Sequence, residues 1–124
     1  MRIFYSAEFS QAVALIRTLP DECSAEELRA LGPKGEEAAV QICTIVETMG
    51  VLVHQRIAPY SLVEELAGGV ITVMYVKLRA WLETVRKKQN QPSWAEWFQW
   101  LSEQLLKRKD QTEPAYRKFH QWQP

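Results

Sequence analysis

The chain has 124 residues, 47% of them hydrophobic and 24% charged, which suits one folded unit with a real core and excludes disordered, collagen-like and low-complexity classes. Fifteen basic and fifteen acidic side chains cancel, which argues against the broad attraction that nucleic acids and anionic membranes require. Residues 1–62 nevertheless carry a net charge of −3 and residues 63–124 one of +3, so two halves of opposite sign are suited to attract each other within one fold or across a dimer.

The periodicity is helical throughout and predicts an all-α fold, a compact bundle of four main helices plus one or two short ones. The expected domain is a single helical unit over 1–124, with 110–124 as an aromatic tail on the bundle. The start, Met1-Arg2-Ile3-Phe4-Tyr5-Ser6-Ala7-Glu8, lacks the basic and apolar regions of a signal peptide. A first helix fits Ala7 to Leu19, with Phe9, Ala12, Val13, Ile16 and Leu19 on one face and Pro20 as its stop. A short helix follows Ser24, whose spacing to Glu27 is that of a capping box, and the Gly32-Pro33-Lys34-Gly35 break ends it. From about Glu36 to Gln55, Ala39, Ile42, Cys43, Val46, Met49 and Val53 form one apolar band. Gly50 lies in that band, where another helix crossing closely, or a bend, would explain it.

Pro59 to Leu66 reads as a two-turn helix with proline near its start, and Gly68-Gly69 as a hinge or tight junction. The next helix, about Val70 to Lys88, has two apolar sides. Ile71, Met74, Tyr75, Leu78, Trp81, Leu82 and Val85 fill one, while Val73, Val76 and Ala80 project to the other, which a surface helix normally makes polar. The window Val70–Val85 reads as the most apolar, yet Lys77, Arg79 and Glu83 interrupt it, so no membrane span is expected. Ser93-Trp94-Ala95-Glu96 has capping-box spacing for a helix to about Lys109. Trp94, Trp97, Phe98, Leu101 and Leu105 make its inner stripe, and Trp100 stands off it as an indole in need of a cover. From Thr112 onward the tail is polar, with Tyr116, Phe119 and Trp122 three apart.

Signatures of chemistry are absent: no phosphate-cradling loop, no nucleophile elbow, no His-Glu-x-x-His, no dinucleotide fingerprint. Cys23 and Cys43 with His54 and His120 match no zinc spacing, and a reduced cytosolic pair is the expectation for the cysteines. The pairs Glu26-Glu27, Glu36-Glu37 and Glu64-Glu65 suit helix starts, because neighbours on a helix do not face one another as a catalytic dyad would. The runs Arg86-Lys87-Lys88 and Lys107-Arg108-Lys109 suit helix ends and fall at opposite ends of an antiparallel pair. A helix-turn-helix around Ala67-Gly68-Gly69 would offer Val70, Ile71, Val73, Met74 and Val76 to a DNA groove, which is the wrong chemistry.

The wording Glu37-Ala38-Ala39-Val40, Met49-Gly50-Val51-Leu52-Val53, Leu66-Ala67-Gly68-Gly69, Trp81-Leu82 and Glu96-Trp97-Phe98-Gln99-Trp100-Leu101 resembles a bacterial family of small helical proteins described only as a domain of unknown function. Some of its members carry membrane anchors ahead of this region, whereas none is read in this chain. The resemblance spans Glu36 to Gln104, leaves the first 35 residues and the tail outside, and implies an all-helical fold and a bacterial source without supplying a catalytic residue.

The functional expectation is a cytoplasmic, self-associating interaction module without catalysis, cofactor or metal. Its interface residues would be Val73, Val76, Ala80 and Trp100, and its partner a second copy or another protein. The alternative is a small-molecule binder or enzyme with an apolar inter-helix pocket lipped by Tyr75, Trp81 or His54. Nucleic-acid binding ranks below both.

Overall fold

A computed structural model describes residues 6–109, 111 and 113–124, so the start at Met1–Tyr5 and, within the predicted tail over 110–124, Asp110 and Thr112 lie outside the described set. Among the described residues there are six helices and no strand: α1 (Ala7–Ile16), α2 (Ala25–Arg29), α3 (Pro33–His54), α4 (Tyr60–Gln89), α5 (Glu96–Lys109) and α6 (Ala115–Lys118). The all-α expectation of four main helices plus short ones holds.

Local signals set several ends. The Ser6 hydroxyl accepts from the Phe9 amide at the start of α1. At α2 the capping box forms as read: the Ser24 hydroxyl accepts from the Glu27 amide at 3.1 Å, and the Glu27 carboxylate accepts from the Ser24 amide at 3.0 Å. Gly32 (φ 93°) turns the chain so that Pro33, whose missing N–H costs nothing at a first helical position, opens α3 three residues earlier than expected.

The largest departure is α4. The predicted two-turn helix, glycine hinge and following helix are one uninterrupted 30-residue helix. Each mid-helix glycine weakens a helix by only about 1 kcal/mol relative to alanine, and apolar anchors on both sides, Val63 and Ala67 before the pair, Ile71 and Met74 after it, hold the axis through. The Thr72 hydroxyl donates back to the Gly68 and Gly69 carbonyls. Asn90, left-handed at φ 51°, ends α4.

In the core α3 is the hub, packed against α1, α2, α4 and α5, with Ala39, Ile42, Cys43, Val46, Met49 and Val53 buried as the band predicts. It is also the one helix among the described residues long and apolar enough to cross a membrane by length and composition, which corrects the expectation that Val70–Val85 is the most apolar window: α4 carries Lys77, Arg79 and Glu83 there, whereas Glu47 is the one charge between Ala38 and Val53. Gly50 marks where α3 and α5 nearly touch: a Cβ built there would stand 2.4 Å from the Trp97 carbonyl oxygen. The close crossing expected at this glycine is present.

The start of α5 is not capped as its sequence suggested. Ala95 adopts φ 58°, the helix begins only at Glu96, and the acceptor for the Phe98 amide is the Glu47 carboxylate of α3, at 2.7 Å. Desolvation pushes the Glu47 carboxyl above its ordinary value, outweighing the amides of Phe98 and Trp97, which pull it down. A carboxyl raised in the folded state stabilises the fold below its unfolded value and loses that contribution as pH rises through the folded one. Glu47→Gln keeps an acceptor and removes the charge, so its melting temperature relative to wild type should climb between pH 4 and 7. Glu47→Ala orphans the Phe98 amide and should cost about 1–3 kcal/mol across that range. Parallel melting curves for Glu47→Gln and wild type would contradict this.

Candidate functional site

Three regions collect the residues that the sequence singled out. The first is the outer face of α4. Val73 is exposed, as expected, whereas Val76 and Ala80 are half-buried. The chain's own α1–α2 connection lies against this part of the helix: the Glu22 and Cys23 amides donate to the Val76 and Lys77 carbonyls, both at 3.0 Å. Lys77 Nζ donates to the Leu19 carbonyl at 2.6 Å, and Arg79 pairs with Glu22. The apolar face continues toward the N-terminus instead. Leu62, Leu66, Gly69 and Val73 follow one another at spacings of four, three and four, with exposures of 42% at Leu62, 44% at Leu66 and 37% at Val73. A Cβ at Gly69 would meet nothing within 4 Å. Leu62, Leu66 and Gly69 were missed because the glycine pair was read as a break. The signal was there, since the four-three alternation runs unbroken from Leu62 to Ala80.

The second region is the corner where α3 ends and α4 begins. His54 and Trp100 meet here, with ring centroids 5.5 Å apart and planes at 87°, and His54 also lies 4.5 Å from the Trp97 ring. Trp100 is thus half-covered by its own chain, on α5, and is not brought to Val73, Val76 or Ala80. An open groove of about 740 Å³ starts beside it, lined among others by His54, Arg56, Tyr60, Gln104 and Arg108. Arg108 lies over the Tyr60 ring at 5.3 Å, and Glu64 approaches Arg108 at 3.7 Å. The other two residues of the expected pocket lie elsewhere: Tyr75 is buried edge-on against Phe98, and Trp81 is buried edge-on against Trp94. Nothing local in the sequence announces this groove, whose arginines come from a loop and from a helix 52 positions later.

The third region is a groove of about 750 Å³ between α4, the end of α5 and the tail. It mixes Glu64, Glu65 and Glu113 with Arg108, Lys109 and Lys118, so it presents no single sign. Tyr116, Phe119 and Trp122 are exposed.

Cys23 and Cys43 are free and buried, and desolvation pushes both thiols up, away from the nucleophilic thiolate. Among the described residues no three His, Cys, Asp or Glu side chains stand close enough to share a metal ion. Leu62–Trp81 is continuous helix and contains no turn between two DNA-reading helices. The basic runs fall at opposite ends of the α4–α5 pair: Arg86 reaches Trp94 and Gln99 at the start of α5, while Arg108 reaches Tyr60 at the start of α4.

The family model described as a domain of unknown function (DUF4760) matches residues 2–105. The chain belongs to that family. The DUF4760 match takes in α1 through nearly all of α5, so it includes the N-terminal third that the resemblance left outside, and it stops short of α6 and the aromatic tail. The outer face of α4 and the connection strapped across it both lie within the DUF4760 region, as do the residues named for the groove at the α3–α4 corner, except Arg108. No curated protein and no solved structure shows significant similarity to this DUF4760 chain.

Proposed function

We propose that this chain is a binding module without catalysis, whose partner is a second copy of itself docked through the outer face of α4. The observation that carries the reading is the exposed seam Leu62, Leu66, Gly69, Val73 on a helix whose opposite side is already filled by the core. A seam with four-three spacing is the pattern by which one helix packs along another. One further feature, the register, favours an antiparallel copy. Leu66 opposite the partner's Gly69 sets a large side chain over an open notch, and Leu62 then falls opposite the partner's Val73.

In size-exclusion chromatography with light scattering, the protein should shift from monomer toward dimer as concentration rises. Leu66→Glu should weaken association by roughly 30-fold or more, as expected for a residue central to an interface, with helicity and melting temperature of the monomer unchanged. Gly69→Leu fills the notch and should do the same. A wild-type chain that stays monomeric at millimolar concentration, or a Leu66→Glu variant that associates as wild type does, would refute the proposal.

A further inference from the structure

The groove at the α3–α4 corner has a composition unlike the rest of the surface. His54, Arg56 and Arg108 line it together with the rings of Tyr60 and Trp100, and among the described residues no aspartate or glutamate does. Backbone geometry fixes the corner. The amides of Gln55, Arg56, Ile57 and Ala58 donate to the carbonyls of Val51, Val53 and Leu52, which satisfies the end of α3 and leaves side chains to face the groove. Arg56 is held left-handed, at φ 61°, by its amide bond to Val53, so its side chain leaves from a set position. Among the described residues Arg56 forms no ion pair. Arg108 lies over the Tyr60 ring, with Glu64 at 3.7 Å.

We infer that this groove binds a small planar aromatic anion, its ring stacked against Trp100 and its carboxylate or phosphate held between Arg56 and Arg108. Guanidinium groups match both anions in a two-pronged geometry, and an indole provides a flat apolar surface for a ring. The Gln104 amide beside them adds a donor and an acceptor for ring heteroatoms. A volume of about 740 Å³ is of the size that takes a mononucleotide or an aromatic acid. The site is separate from the outer face of α4, so its fate does not depend on self-association.

The test uses the full chain and four probes, followed by calorimetry and by tryptophan fluorescence: adenosine monophosphate, indole-3-acetate, adenosine and inorganic phosphate. At least one of the first two should bind saturably, with affinity that falls as salt is added. Adenosine and phosphate, each lacking one half of the chemistry, should bind about tenfold more weakly or not at all. A preference between the first two probes assigns the anion as phosphate or carboxylate. Arg56→Gln, at an exposed position, should lower the affinity about tenfold while the melting curve stays that of wild type, and Trp100→Leu should lower it too. The inference is overturned if neither aromatic anion binds, if phosphate alone binds equally well, or if Arg56→Gln binds as wild type does.

Discussion

Gly50→Ala should lose about 2–3 kcal/mol of stability, a drop of about 10 °C in melting temperature, although alanine is the better helix former. The added carbon would stand 2.4 Å from the Trp97 carbonyl oxygen and 3.0 Å from its Cβ, and the first of these is backbone, so α3 and α5 have to move apart. That separation also strains the Glu47 cap on Phe98 and the His54–Trp97 contact, which bridge the same two helices. Gly69→Ala is the control. Its carbon enters open space, so the monomer should gain up to about 1 kcal/mol from helix propensity alone. Thermal melts followed by circular dichroism at low concentration check both signs, and a neutral or stabilised Gly50→Ala would show that the crossing is looser than described.

Arg86→Ala should cost about 3–4 kcal/mol, because this side chain, only 11% exposed, ties the end of α4 to the start of α5. Its guanidinium donates to the Trp94 carbonyl at 2.8 Å, to the Gln99 side-chain oxygen at 2.7 Å and to Glu83 at 2.7 Å. Lysine carries the same charge without the fork, so Arg86→Lys should recover less than half of the loss. Hydrogen exchange should report the place: amides in the first turns of α5 lose protection ahead of those in α1. Stability within 0.5 kcal/mol of wild type for Arg86→Ala would make the network dispensable. The sequence places Arg86 in a basic run that suits a helix end, and this reading holds for its exposed neighbours Lys87 and Lys88, whereas Arg86 itself turns inward onto α5.

How far the sequence reaches can be traced residue by residue. Ser24 and Glu27 are three apart, so their reciprocal cap is a local fact and was legible. Gly50 was legible for a similar reason, as a helix-weakening residue inside an apolar band has few uses other than a close approach or a bend. Ser93 and Glu96 have the same spacing as Ser24 and Glu27, yet Ala95 turns left-handed between them and Glu47, some 50 positions earlier, supplies the acceptor. Spacing alone does not separate the two outcomes. The glycine pair misled in the opposite direction, since local weakness was read as a hinge while the anchors on either side, buried in a core not yet assembled, carry the helix through.

The candidate sites follow the same division. His54 and Trp100 stood out as single residues, but their contact, and the company of Arg56, Tyr60 and Arg108, depends on α5 running back past the α3–α4 corner. Periodicity along the chain determined which residues are helical and which side of each helix is apolar, because those patterns rest on the fixed geometry of 3.6 residues per turn. Which apolar sides are then covered was decided only by the tertiary structure. A strap from residues 19–23 lies against Val76 and Lys77 while Leu62, Leu66 and Val73 stay open, and coverage of this kind is set by segments distant in sequence and by directional hydrogen bonds that no period encodes.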